Sequence, residues 1–101
     1  MVCLVTTSDV DEARHIARAL VRERLAACCN IVPRVESIYR WEGEVEEETE
    51  ALCIIKTTRA RFGALRDRVI ELHGYDVPEV IAFEIAQGSE AYLKWLKGAC
   101  V

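Results

Sequence analysis

The stretch CCNIVPRVESIYRWEGEVEEETEALCIIKT, residues 28–57, decides the architecture. Its first part, residues 28–41, is rich in β-branched and aromatic residues, which suit a pleated, half-buried backbone. Pro33 interrupts it, and a proline has no N–H to give to a ladder, so this strand lies at an edge or bends at a bulge there. Glu42-Gly43 supplies a turn, and residues 44–57 return as a second strand ending in the apolar run Leu52-Cys53-Ile54-Ile55. The pair makes a long hairpin with an acidic distal part.

Upstream, VCLVTT (2–7) reads as a buried strand. Ser8 and Asp9, with Glu12 three residues after Asp9, resemble a capping box that starts a helix. From Asp11 to Leu25 the residues Ala13, Ile16, Ala17, Leu20 and Val21 recur at helical spacing, while His15, Arg18 and Arg22 fall on the wet side. Downstream, Phe62, Leu65, Val69 and Leu72 form the apolar stripe of a helix over 59–73. The turn-rich HGYDVPE (73–79) leads to a strand over 79–86, and Ser89 caps a last helix carrying Tyr92, Leu93, Trp95 and Leu96. The order is β-α-β-β-α-β plus a terminal helix, an α+β chain of the ferredoxin-like, split βαβ kind. Thr-Thr follows a strand and precedes a helix twice, at 6–7 and 57–58, a faint echo of that fold's two halves.

Two helices cover only one face of a four-stranded antiparallel sheet, and a one-sided sheet should alternate apolar with polar residues. Instead VCLV, LCII and VIAF are apolar at consecutive positions, so both faces call for burial. The hairpin strands, at about 14 residues, also exceed the usual five or six and leave long edges. Both problems vanish if copies of the chain pack sheet on sheet and pair their edges, so a homo-oligomer is expected.

Composition sets the outer bounds. The 101 residues form one domain, 1–101, with 51% apolar and 30% charged residues, and too few Gly and Pro for a linker or a disordered tail. No apolar run approaches the roughly 20 residues that cross a bilayer, so no membrane partner is expected. The start MVCLVTTSDVDEAR lacks the basic residues of a signal peptide, which points to a cytoplasmic protein. The net charge of −4 comes from residues 42–50, which hold six Glu and no base, and no basic stripe is left for nucleic acid. Five Cys at 3, 28, 29, 53 and 100 fit neither a disulfide framework nor a structural zinc site. Cys3 and Cys53 lie in apolar runs and should be buried, whereas Cys100, next to the C-terminal Val101, should react quickly with a thiol reagent.

No phosphate-binding loop, dinucleotide fingerprint, zinc-protease motif or nucleophile elbow is present, and Ser8 and Ser89 are already spent as helix starts. No enzyme is expected. The Glu run reads as a solvated hairpin, and because neighbouring strand residues face opposite ways, at most half of its carboxylates can converge on a hard cation. Soft metals such as copper prefer thiolate and imidazole, which singles out Cys28 and His73 as metal ligands, with partners drawn from elsewhere such as another subunit. The aromatic and polar residues are the other candidate: Tyr39 and Trp41 share a strand face, Tyr92 and Trp95 share a helix face, and Lys56, Tyr75 and Glu79 sit at element ends. They would line a cleft between subunits that receives a small ligand.

These motifs resemble the CutA family of divalent-cation tolerance proteins. LAAC at 25–28 followed by Asn30, SIYRWEG at 37–43, Glu50 through Lys56-Thr57, HGYDVPE at 73–79 and Tyr92-Leu93 with Trp95 stand in the family's order and at its spacing. Departures are Cys29, Gly74 and Asp76, where the family usually carries Val, Pro and Glu. The resemblance implies a ferredoxin-like subunit in a homotrimer similar in plan to the PII signalling proteins. It further implies tolerance of copper or another divalent cation, which is not held tightly. It conveys a phenotype and an assembly, not a reaction. A signalling or scaffold trimer that binds a metabolite or a partner protein in the cleft is the alternative.

Overall fold

Strand and helix alternate where the apolar period changes from two to about 3.6. The computed structural model describes residues 1–101 as β1 (Val2–Thr7), α1 (Val10–Arg22), β2 (Cys28–Trp41), β3 (Glu44–Lys56), α2 (Arg59–Leu72), β4 (Ile81–Phe83) and α3 (Glu90–Ala99). The strands form one antiparallel sheet in the order β2-β3-β1-β4. This is the α+β, ferredoxin-like arrangement with its long β2-β3 hairpin and C-terminal helix.

The hairpin behaves as its residues require. Glu42 (φ 49°) and Gly43 (φ 83°) both adopt left-handed backbone between Trp41 and Glu44, the two-residue turn whose twist matches the strands it joins. The register slips between Val32 and Val35, around Pro33, so the predicted bulge is present. The hairpin's length draws the molecule out to 44 × 26 × 22 Å.

Local chemistry sets the other boundaries. Asp9 caps α1, its carboxylate accepting from the Glu12 N–H at 2.8 Å, and Glu12 reaches back to Ser8. The helix stops at Arg22 rather than Leu25 because Arg24 turns left-handed (φ 60°), which lets the N–H groups of Leu25 and Ala26 return to the Leu20 carbonyl. Thr58 caps α2 and Ser89 caps α3. One threonine of each repeated pair is fully buried: the Thr7 hydroxyl donates to the Asp9 carbonyl and the Thr57 hydroxyl to that of Leu25. β4 is three residues long, not eight, since only Ile81–Phe83 pair with β1.

Helices α1 and α2 cover one face, burying Cys3, Val5, Cys53 and Ile55 of the sheet against Ile16, Leu20, Leu65 and Val69. The other face carries Val2, Leu4, Val32, Leu52, Ile54, Ile81 and Phe83, none of them buried, and Ile81 and Phe83 are each 53% exposed. An apolar sheet face therefore lies open in the single chain, as the consecutive apolar residues demand.

The cysteines correct one expectation. Cys100 is only 4% exposed, packed with Ala27 and Leu96 at the end of α3, and its carbonyl accepts from the Arg61 guanidinium at 2.7 Å. Nearness to the C-terminus does not keep it in water, because α3 folds its last turn back against the core. Burial also pushes the Cys3 thiol up to about 11, further from the reactive thiolate. Native thiol labelling should accordingly leave Cys3, Cys53 and Cys100 unmodified until denaturant is added. Fast native modification of Cys100, followed by mass spectrometry of the labelled peptides, would contradict this packing.

Candidate functional site

The structure divides the predicted cleft residues between two places. Tyr39, Trp41, Tyr75 and Glu79 come together in a groove of about 820 Å³ between the distal hairpin and the segment that follows α2. Lys56, Tyr92 and Trp95 do not join them. Lys56 pairs with Val2 on one side and Cys28 on the other, four residues along β1 from Thr6, which borders the groove. At the usual strand rise that separation is about 13 Å. A single cleft lined by all seven residues is thus absent from one chain.

The groove is built by register. Tyr39 lies opposite Glu46 and Ser37 opposite Glu48, so aromatic and acidic side chains of β2 and β3 share one face. From the other side the Tyr75 hydroxyl donates to Glu50 Oε2 at 2.7 Å. Burial, followed by the Glu50 carboxylate, holds the Tyr75 phenol above its ordinary range. Burial and then Glu50 likewise raise the carboxyl of Glu79, and Tyr39 is raised by desolvation, then by Glu48. The lining holds six carboxylates (Glu36, Glu46, Glu48, Glu50, Asp76 and Glu79) and no Lys, Arg or His. The Glu run, expected to be solvated, includes Glu50, which is only 7% exposed. The signal was available in the alternation Glu46, Glu48, Glu50, once a two-residue turn at Glu42-Gly43 had fixed the register.

At the opposite end Cys28 Sγ stands 3.8 Å from the Tyr92 hydroxyl, and the Tyr92 and Trp95 rings pack with centroids 5.4 Å apart. Lys56 Nζ donates to the Asn30 side chain, which lies beside Cys28 on the same sheet face. The Cys28 neighbour and burial raise the Tyr92 phenol.

His73 and Cys28 are not brought together either. His73 ends α2, its side chain fully buried. Its Nδ1 accepts from the Tyr75 N–H at 3.0 Å, which places the ring proton on Nε2, and that nitrogen donates to the Thr6 carbonyl at 2.7 Å. A metal at His73 would have to displace one of these partners. No group of three or more His, Cys, Asp or Glu side chains is arranged around a common point for a metal ion. Beside His73, Gly74 donates its N–H to Glu12 Oε2 at 2.8 Å, a bond that a proline in its place could not make. Burial alone would raise Glu12, but the N–H groups of Ser8 and Gly74, the Ser8 hydroxyl and His73 together keep its carboxyl below the ordinary value.

Comparison with known proteins gives this arrangement its context. The model of the CutA1 divalent ion tolerance protein family matches residues 1–99. The "Divalent-cation tolerance protein CutA" of Thermus thermophilus is 54% identical over 96 residues, covering 95% of this chain and 93% of that protein. "Protein CutA, chloroplastic" of Arabidopsis thaliana is 46% identical over 99 residues, 98% of this chain but 54% of its own, so the chain spans about half the length of that plant relative. Among solved structures, the Thermus thermophilus divalent cation tolerance protein superimposes with a TM-score of 0.95 at 53% identity, covering 97% of this chain and 95% of its own. The Archaeoglobus fulgidus structure, described as a periplasmic divalent cation tolerance protein CutA, gives 0.96 at 34% identity, covering 99% and 97%. These names overturn the expected cytoplasmic address. Relatives in Arabidopsis and rice are called chloroplastic and the archaeal one periplasmic, so a domain of this kind is compatible with several compartments. The family is named for tolerance of ions rather than for a reaction. By the match across residues 1–99, and by 54% identity to a relative covered almost end to end, this chain belongs to the CutA1 divalent ion tolerance family.

Proposed function

We propose that the protein is a non-catalytic homotrimer that binds divalent cations, Cu²⁺ among them, through side chains at its subunit junctions. The observation that carries this reading is the open sheet face. Seven apolar residues stand there half-buried or exposed, and Cys28, half-buried, lies on that face beside them. Burying the face against other copies would bring groups from separate chains to Cys28 and supply what one chain lacks. In a closed trimer the long hairpin edges pair with neighbours and leave no growing edge. The thiolate of Cys28 suits a soft ion such as copper, and His73 joins it only by giving up its bond to Thr6 or Tyr75. The family name supports the ion class.

Copper titration followed by calorimetry tests the ligands. Cys28→Ser should weaken binding about tenfold or more, while His73→Ala should act mainly by lowering thermal stability. Unchanged affinity and stoichiometry in both variants would remove the named ligands and leave the alternative ahead, a PII-like signalling or scaffold trimer whose cleft takes a small molecule or a partner protein. What favours that second reading is the groove itself, whose residues Tyr39, Trp41, Tyr75 and Glu79 lie together without assembly.

A further inference from the structure

Three thiols share the helix-covered face of the sheet, on three adjacent strands. Cys3 of β1 and Cys29 of β2 both lie opposite Ile55 of β3, one on each side, and Cys53 stands two residues along β3, between Val5 and Ile31. Cys3 and Cys53 are fully buried in the core, and Cys29, half-buried, packs against it. Cys29 and Cys53 are therefore diagonal neighbours across one strand pair, and their thiols interact. The largest influence on the proton of each is the other, which raises Cys29 and lowers Cys53. Cys3 stands apart: burial is the main influence on its proton, and two strand spacings, about 9.5 Å, separate it from Cys29. Neither thiol of the pair is committed elsewhere. Cys29 Sγ meets the Asn30 carbonyl only at 3.8 Å, and Cys53 Sγ meets that of Ala13 only at 4.0 Å.

Geometry decides what such a pair takes. A disulfide needs its Cβ atoms about 3.5–4.5 Å apart, whereas diagonal cross-strand residues stand farther apart, at up to about 7–8 Å. An ion seated between the sulfurs suits the wider gap, because two metal–thiolate bonds of about 2.3 Å laid end to end span about 4.6 Å. Thiolates select Cu(I), zinc or iron–sulfur clusters, and the last two call for four ligands. No third His, Cys, Asp or Glu converges with the pair. Cu(I) is the ion that two thiolates satisfy. Each thiol gives up its proton on coordination, leaving one net negative charge over the two sulfurs and the ion. The Lys56 ammonium, next to Ile55 on β3, favours the ionised form of Cys29.

We propose that Cys29 and Cys53 form a buried two-coordinate site for a soft monovalent cation, Cu(I), clamped between β2 and β3 beneath α1. Half-buried Cys29 is the point of entry, and the ion passes from it to Cys53. The site lies on the opposite sheet face from Cys28 and takes no residue from another copy, so it goes beyond the junction site for divalent ions given above.

The test is an anaerobic titration of Cu(I) against a chromogenic Cu(I) chelator, with a non-thiol reductant present, in the Cys28→Ser protein, which lacks the junction thiol. One Cu(I) per chain should bind, and X-ray absorption at the copper edge should find two sulfur neighbours and no nitrogen. Adding Cys29→Ser or Cys53→Ala should weaken binding by more than about a hundredfold, since loss of even an outer-shell partner costs about ten- to hundredfold. Cys3→Ala and Cys100→Ala, which remove thiols outside the pair, should leave it unchanged. Thermal melts without metal check that each variant folds. Cys29→Ser, at a half-buried position, carries the test should Cys53→Ala fail to fold. An absence of Cu(I) binding once Cys28 is gone, or binding that survives both Cys29→Ser and Cys53→Ala, would overturn the proposal. So would three sulfur neighbours with an equal loss on Cys3→Ala, which would replace the pair by a cluster of all three thiols.

Discussion

Ile54→Asp is expected to dissociate the proposed trimer. Ile54 lies near the middle of the open sheet face, opposite Leu4 of β1 and Asn30 of β2. In a single chain its side chain is half-buried and a carboxylate there could still reach water. Between packed sheets it could not, and an ionised group sealed in apolar surroundings without a partner costs several kcal/mol at every copy. That cost is of the same order as the whole stability of a domain this size, about 5–15 kcal/mol. Sedimentation velocity and thermal melts at several protein concentrations would read the effect. The wild type should melt at higher temperature as concentration rises, since association stabilises by mass action, and the variant should lose both that dependence and the larger mass.

Leu20→Ala is the second large expected loss, and it acts inside each subunit. Leu20 is fully buried in α1, packed in the core formed with Val5, Cys53, Ile55 and Leu65. Its carbonyl also takes the N–H groups of Leu25 and Ala26 that close the helix end. Truncating such a side chain leaves a cavity, at about 2–5 kcal/mol per subunit, which for about 100 residues corresponds to a fall in Tm on the order of 10–30 °C. His15→Ala, on the exposed side of the same helix, should stay within about 0.5 kcal/mol of wild type. Chemical denaturation of the two variants side by side checks the contrast.

Much of the fold was legible because each boundary carries its own chemistry. Pro33 marked the bulge, Glu42-Gly43 the turn, and Asp9, Thr58 and Ser89 the helix starts. The consecutive apolar residues of VCLV and LCII foretold a sheet apolar on both faces, one of which the helices leave open. What misled were features that local pattern does not encode. The helical period runs through Leu25, but left-handed backbone at Arg24 ends α1 earlier while Leu25 stays buried in the core. VIAF looks like a long strand, yet pairing with β1 is available for three residues only.

The candidate site was harder to read because register, not composition, assembles it. Tyr39, Trp41, Tyr75 and Glu79 meet because the turn places Trp41 across from Glu44 and the segment after α2 folds onto the same face. Lys56 belongs at the far end because β3 runs the whole length of β1 before it gets there. The imidazole of His73 suggested a ligand, but its nitrogens serve Thr6 and Tyr75. No residue type announces such a use; only the backbone around it does. Glu50 was concealed in the same way among acids that are mostly exposed.

The proposed metal site at Cys28 depends on other copies of this chain covering the open sheet face. Sedimentation equilibrium of the wild-type protein at low micromolar concentration measures it directly. The predicted result is a single folded species of three times the 11.4 kDa chain mass. A stably folded species of 11.4 kDa, with a melting temperature independent of concentration, would contradict it.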